Sequence, residues 1–435
     1  MSSMTIGILG FLLLILLLFM RMPIAVAMGG IGVVGMSYLL GWDAGLNLLK
    51  TAPYASVAKY GFSVVPLFIL MGNFCYHAGV SKDLYHTINK WLGQFRGGVA
   101  MATVGACGFF AAVSGSSLAT AATMGTVALP EMKKFKYHPA LATGTIAAGG
   151  TLGILIPPST VLIIYAILTE QPIASLFVGG IIPGILEAVF YVLTIHILCR
   201  FKPDWGPPGV RTSFKEKIVS LKDFWVIFIL FLIVMGGIYT GVFSPTEAAG
   251  VGAFVALVIA FARRKLGKKG LAGALMDTMK TTAMIHVILI GAMLLGYFMS
   301  VTRLPFELAE FVGAIDVNRF VVFAAIIAVY VLLGCMMIPM AMIILTIPIV
   351  FPLVTSLGFD PIWFGIITVR IFEIAQVTPP VGMNIFIISG VAKDIPMETI
   401  YRGVVPFFIA DVLHLVLLIV FPQLVLFLPN LMMSS

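Results

Sequence analysis

Gly150-Thr151-Leu152-Gly153-Ile154-Leu155-Ile156-Pro157-Pro158-Ser159-Thr160 is the stretch whose reading decides the fold. It lies in the middle of an uncharged run from Pro139 to Thr169, long enough to cross a bilayer as a helix. Two prolines at the centre of such a helix remove backbone donors and clash with the preceding turn, so the helix breaks there. Broken backbone at membrane depth is tolerated only where protein buries it or where it lines a cavity. Ions and polar substrates bind at such places, because unwound carbonyls and half-helix ends point at one spot.

The same punctuation returns at Gln376-Val377-Thr378-Pro379-Pro380-Val381-Gly382-Met383-Asn384, at an offset of 222 residues. That offset also superposes Pro139 on Pro361 and Pro130 on Pro352 without a gap, and Gly180–Pro183 matches Gly403–Pro406 after a one-residue slip. Unrelated proline kinks do not explain a shared register. Interrupted segments at corresponding places in two halves are the best sequence pointer to a transporter's binding site.

Of 435 residues, 60% are hydrophobic and 10% charged, far from the soluble average. The chain is an all-α polytopic membrane protein. Its net charge of +8 reads first as a topology signal, and no nucleic-acid partner is expected. Cys75, Cys107, Cys199 and Cys335 show neither metal nor disulfide spacing and read as packing residues. No phosphate-binding G-x-x-x-x-G-K-[ST] run is present, so the chain carries no ATPase site of that type.

In chain order, spans are expected over 5–20, 23–40 and 61–76, with an interfacial amphipathic helix within 42–60. From Gly97 to Pro130 no charge occurs for 34 residues. As one helix that would be about 50 Å against a hydrocarbon core of about 30 Å. Basic residues flank both ends and Ser114-Gly115-Ser116-Ser117 sits midway, so the run reads as a re-entrant hairpin over 97–132. The broken helix over 138–170 and a span over 176–199 follow, then a basic linker over 201–223. Residues 224–435 repeat the plan. Their spans are expected over 224–242, 248–261, 281–301 and 404–427, with a hairpin over 320–352 turning at Gly334–Pro339 and a broken helix over 361–390. Glu307, Glu310 and Asp316 occupy an external link, and Ser244-Pro245-Thr246-Glu247 reads as a helix cap.

This layout puts 21 of the 26 Lys and Arg, from Arg21 to Arg402, in loops on one face. Lys50, Lys59, Arg303 and Arg319 fall on the other, and Arg370 lies inside the second broken helix. The bias orients the basic loops to the cytoplasm and both termini outside. Each half, 1–200 and 224–435, then has five spans and one hairpin. Five is odd, so the halves form an inverted repeat.

Both hairpin tips and both breaks converge at mid-membrane in this reading. Glycines permit close approach, prolines leave carbonyls free, and Ser, Thr, Asn and Gln add neutral oxygens, a donor set suited to Na⁺. The expected Na⁺ ligands are Ser114, Gly115, Gly153, Ile156 and Ser159 in the first half, and Gly334, Ala375, Thr378 and Val381 in the second. The expected substrate contacts are Ser116, Ser117, Thr120, Pro158, Ser159, Pro380 and Asn384. Helix–helix association through small residues is the competing reading for any one serine. Arg370 and Glu373 are spaced to pair on one helix face, serving either a gate or structure alone. Glu187, Asp411 and His414 read as polar contacts of the scaffold or hinge.

Ala111–Gly125 (AAVSGSSLATAATMG), Gly150–Ser159 (GTLGILIPPS), Phe243–Ala249 (FSPTEAA), Thr378–Asn384 (TPPVGMN) and Pro66–Asn73 (PLFILMGN) together carry a resemblance. The chain resembles the large membrane subunit of TRAP transporters, the tripartite ATP-independent periplasmic carriers of dicarboxylates, sialic acid and related organic acids. The resemblance implies a multi-pass protein of the bacterial inner membrane, an elevator-type carrier driven by Na⁺. It also implies two partners, a small four-helix membrane subunit and a periplasmic substrate-binding protein. No fused small subunit precedes Met1, so that subunit is expected as a separate chain. A stand-alone divalent-anion symporter or antiporter, a channel and an intramembrane enzyme are the rival classes. The enzyme lacks a nucleophile–base constellation in this sequence.

Overall fold

The computed structural model describes residues 2–434 except 21, 315, 316, 336 and 380. Arg21, Asp316, Met336 and Pro380, which the sequence reading used, lie outside the described residues. Among those described, the chain folds into α-helices joined by short turns, without strands.

The first helices are α1 (Ser3–Phe19), α2 (Ile24–Leu40), α3 (Trp42–Val57), α4 (Val64–His77) and α5 (Val80–Leu92). Then come α6 (Gly98–Ser114), α7 (Ser117–Lys134), α8 (Pro139–Leu155), α9 (Thr160–Thr169) and α10 (Ile173–Phe201). The second half holds α11 (Phe214–Tyr239), α12 (Pro245–Ala262), α13 (Lys268–Thr302), α14 (Leu304–Ala314) and α15 (Arg319–Gly334). It closes with α16 (Pro339–Ser356), α17 (Pro361–Gln376), α18 (Met383–Val391), α19 (Met397–Val420) and α20 (Gln423–Ser434). Among the described residues six helical stretches are long and apolar enough to cross a membrane, α8 and α9 counting together as one, or eight if two bent pairs each count once. The expected ten spans are therefore not all met by single helices. At 17 residues, α1 and α2 measure about 25 Å, a little under the hydrocarbon core.

Local chemistry sets the boundaries. Ser213 and Glu216 cap each other's backbone at the start of α11, which begins inside the stretch expected as a linker. The expected cap at Ser244 and Glu247 is present at the start of α12. Pro422 separates α19 from α20, where one continuous span over 404–427 was expected; proline cannot donate to the preceding turn. The polar residues ahead of Thr281, expected outside the span, continue α13 back to Lys268.

Glycines bring the helices together at two crossings. A Cβ on Gly32 of α2 would lie 2.4 Å from the Leu294 carbonyl carbon of α13, and one on Gly291 would lie 2.5 Å from the Ala25 carbonyl oxygen. On the other side, a Cβ on Gly403 of α19 would lie 1.9 Å from the Ala140 oxygen of α8, and one on Gly144 would lie 2.2 Å from the Gly403 oxygen. Backbone touches backbone at both crossings, as close membrane packing of small residues requires. Gly403→Ala must therefore push α8 and α19 apart. It should cost about 1–3 kcal/mol, the usual cost of overpacking, read as a lower melting temperature in detergent. An unchanged melting temperature would show that the crossing tolerates separation.

Candidate functional site

The first hairpin turns where the sequence allows it. α6 ends at Ser114, Gly115 takes φ 58°, and Ser116 caps α7 by accepting from the Ala119 N–H at 3.4 Å. The positive φ favours glycine at this position. Next to it, α8 ends at Leu155, Ile156 is extended, and Pro157-Pro158 leads to Ser159, whose hydroxyl caps α9 by accepting from Leu162 N–H at 3.3 Å. The tip seats in this break. Thr160 donates its hydroxyl to the Gly115 carbonyl at 2.9 Å, and a Cβ on Gly153 would lie 2.5 Å from the Ser116 oxygen. A Cβ on Gly115 would lie 2.9 Å from the Pro158 oxygen. Thr120 donates to the Ser116 carbonyl and shares a hydrogen bond with Ser114.

In the second half, α17 ends at Gln376 and α18 starts after Gly382, at φ 61°. A Cβ on Gly334 would lie 2.5 Å from the Ala375 Cβ, and the Cys335 thiol faces the Pro379 carbonyl at 3.6 Å. Thr378 donates its hydroxyl to the Ile374 carbonyl at 2.6 Å, and the Val381 carbonyl accepts from Tyr401. Pro380 lies outside the described residues. Side-chain bonds also tie the first hairpin and break to the second break: Ser117 donates to Gln376 Oε1 at 2.6 Å, and Asn384 Nδ2 donates to the Ala147 carbonyl at 3.1 Å.

Ser114–Ser117 line a cavity of about 480 Å³ that also reaches Thr160, Ile338–Met340, Asn73 and Tyr76. Thr120, Gly153, Pro158, Ser159 and Asn384 are not among the residues that line it, and Ile156 faces a separate apolar hollow with Pro157. Sequence reasoning missed the far wall, Asp277, Lys280 and Thr281 of α13, because nothing in the sequence marks which scaffold face meets a hairpin tip. His77 bonds Asp277 at 2.9 Å there. Asn73, an amide inside an apolar span, was the available signal.

Behind the breaks lies a second polar constellation. Arg370 of α17 binds Glu187 of α10 at 2.7 Å, Glu373 at 2.8 Å, and Asp411 of α19. Tyr191 and Thr151 donate to Glu187 at 2.8 and 3.1 Å. All four charged side chains are 0% exposed. The expected Arg370–Glu373 pair is thus one edge of a network that also recruits Glu187 and Asp411. His414 is buried beside it, its ring tilted at 46° to that of Phe190 with the centroids 5.5 Å apart.

The description "Tripartite ATP-independent periplasmic transporter, DctM component" matches residues 11–424. The chain belongs to this TRAP transporter family. The C4-dicarboxylate TRAP transporter large permease protein DctM of Pseudomonas aeruginosa is 36% identical over 90% of this chain and 93% of that protein. The sialic acid TRAP transporter large permease protein SiaM of Vibrio cholerae is 30% identical over 96% and 97%. The YdaH transporter of Alcanivorax borkumensis shares the fold, with a TM-score of 0.67 at 16% identity over 88% of this chain and 90% of that one. This TRAP permease is a multi-pass membrane protein, and its relatives are named as transport permeases rather than enzymes.

Removing one partner of a buried ion network leaves the others uncompensated, at roughly 3–5 kcal/mol. Arg370→Met should therefore lower the melting temperature and the yield of monodisperse protein. Arg370→Lys, which keeps the charge but not the planar fork, should fall between the two. A wild-type melt for Arg370→Met would show that the carboxylates are satisfied without it.

Proposed function

We propose that this chain carries a small organic acid inward across the bacterial inner membrane, coupled to Na⁺, by an elevator movement of the hairpin-and-break unit against the scaffold. One observation carries the reading. The first turns of α7 (Ser117–Ala119), α9 (Thr160, Val161) and α16 (Pro339, Met340) all open into the 480 Å³ cavity. Helix N-termini present free N–H groups and a partial positive charge to an anion. Lys280 is the one basic side chain among the residues named as lining it. An organic anion of the size of a dicarboxylate or a sugar acid suits these donors. Relatives named for C4-dicarboxylate and for sialic acid support that substrate class.

The sodium reading rests on neutral oxygens beside the breaks. In the first half these are the carbonyls or hydroxyls of Ser114, Gly115, Gly153, Ile156 and Ser159, and in the second those of Gly334, Ala375, Thr378 and Val381. Thr378 spends its proton on Ile374, which leaves the oxygen lone pairs to accept a cation. Buried Asn384 Oδ1 has no hydrogen-bond partner among the described residues, as a group kept for a polar ligand would not. The donor set fits Na⁺ in chemistry. Substrate would meet Ser116, Ser117 and the α7 N-terminus, with Thr120, Pro158, Ser159 and Asn384 further from it.

The elevator reading follows from the division of contacts. Each tip packs against its own break, while α13 packs most heavily on α2 and α4 and only lightly on α16. Family membership supports a small membrane subunit as a separate chain and a periplasmic binding protein as partners. It also supports an inverted repeat with both termini periplasmic. Cysteines placed at positions 2 and 434 should then react with an impermeant thiol reagent from the periplasm, and one at 267 only from the cytoplasm. Labelling of position 267 from outside would reverse the orientation.

Uptake in proteoliposomes tests the transport cycle. The isolated chain should show little uptake, and the complete set of partners should give uptake that rises with the Na⁺ gradient. Thr378→Val keeps the shape but removes the oxygen, so it should raise the Na⁺ concentration for half-maximal uptake about tenfold. Ser159→Ala also removes a helix cap worth about 1 kcal/mol, so its effect must be corrected for stability. A Thr378→Val curve that coincides with wild type would make the second break a structural kink.

A further inference from the structure

A cavity of about 830 Å³ lies away from the hairpin tips, at the face that carries the basic loops. It is enclosed by the turn between α7 and α8, the end of α10 with its following loop, and the turn between α18 and α19. Three cations line it, Lys133, Lys202 and Arg402, against one carboxylate, Asp394. Lys133 binds both Asp394 oxygens at 2.7 Å, which holds that carboxyl below the usual range. Arg402 reaches Glu398 at the exposed rim, at 2.6 Å. Lys202 sits 4.3 Å over the Trp205 ring, whose other neighbour is the His138 ring, stacked at 4.4 Å and 5°. The first turns of α8 and α19 also open here, and no side chain caps α19.

The floor is different in kind. Leu129, Ala142, Leu198 and Val405 make it apolar, and Val405 is 54% exposed on the outward surface of a spanning helix. The cavity therefore joins a cationic mouth at the membrane boundary to an apolar side wall that continues onto the bilayer-facing surface. Basic pockets between membrane helices on the cytoplasmic side suit phospholipid headgroups.

We propose that this cavity seats the phosphate of an anionic phospholipid, with its acyl chains running down the Leu198 and Val405 side. The phosphate would meet Lys202, Arg402 and the α19 N-terminus, and the lipid would brace the two turns against the loop after α10. This site is independent of the substrate cavity and of the transport reading.

Native mass spectrometry of the purified chain, titrated with phosphatidylglycerol, phosphatidylcholine and glycerol 3-phosphate, tests it. Phosphatidylglycerol should be retained about tenfold better than phosphatidylcholine, the scale set by one or two basic side chains. Lys202→Gln with Arg402→Gln, which leaves the Lys133–Asp394 pair in place, should bring the two lipids level. If that double variant is not monodisperse, Lys202→Gln alone should narrow the preference. Equal retention of both lipids by wild type, or an undiminished preference in the variants, overturns the proposal. Glycerol 3-phosphate binding as tightly as phosphatidylglycerol also overturns it, because the ligand is then a soluble phosphate.

Discussion

Everything in this structure depends on the cost of leaving peptide groups unpaired in hydrocarbon. Two double prolines open the backbone inside the membrane-spanning region, and each freed N–H or carbonyl would cost several kcal/mol if it faced lipid. The chain answers by folding a second polar feature into the first. The Gly115 turn sits against Pro158 and takes a bond from Thr160, so the tip and the break cover each other. Gly153 is at the contact because a methyl group there would strike the Ser116 carbonyl. The turn that frees backbone oxygens and the break that shields them from lipid are one set of contacts.

Much of this was legible in the sequence because it rests on local chemistry with a strong signal. Proline pairs break helices whatever surrounds them, and an uncharged run well over one bilayer thickness long has to turn. Ser213–Glu216 and Ser244–Glu247 likewise announce helix starts from three residues of spacing. The Arg370 network was not legible in full. Glu373 lies three residues from Arg370, but Glu187 is 183 positions away and Asp411 is 41 away, on other helices. Only the packing of α8, α10, α17 and α19 around one point brings them together. The same holds for Lys280, whose place on the cavity wall follows from how α13 meets a hairpin tip and from nothing in its own neighbourhood.

The breaks also differ in how their oxygens are committed. Ser159 uses its hydroxyl to cap α9, and Val381 offers its carbonyl to Tyr401, whereas Thr378 turns only its proton inward. Positions at the same 222-residue offset thus need not carry equal chemical weight. Spacing alone assigns them the same role; the local hydrogen bonds tell them apart.

α13 bears on how far anything in this protein can travel. Its 35 residues make a rod of about 52 Å, against a hydrocarbon core of about 30 Å. Lys268 and Lys269 occupy its first turn, and drawing those charges into the bilayer would cost several kcal/mol. The overhang therefore pins the height of the rod, and the glycine crossing pins α2 to it. A rod held at one height gives the fold a fixed reference, with Lys280 standing on it opposite the first hairpin tip.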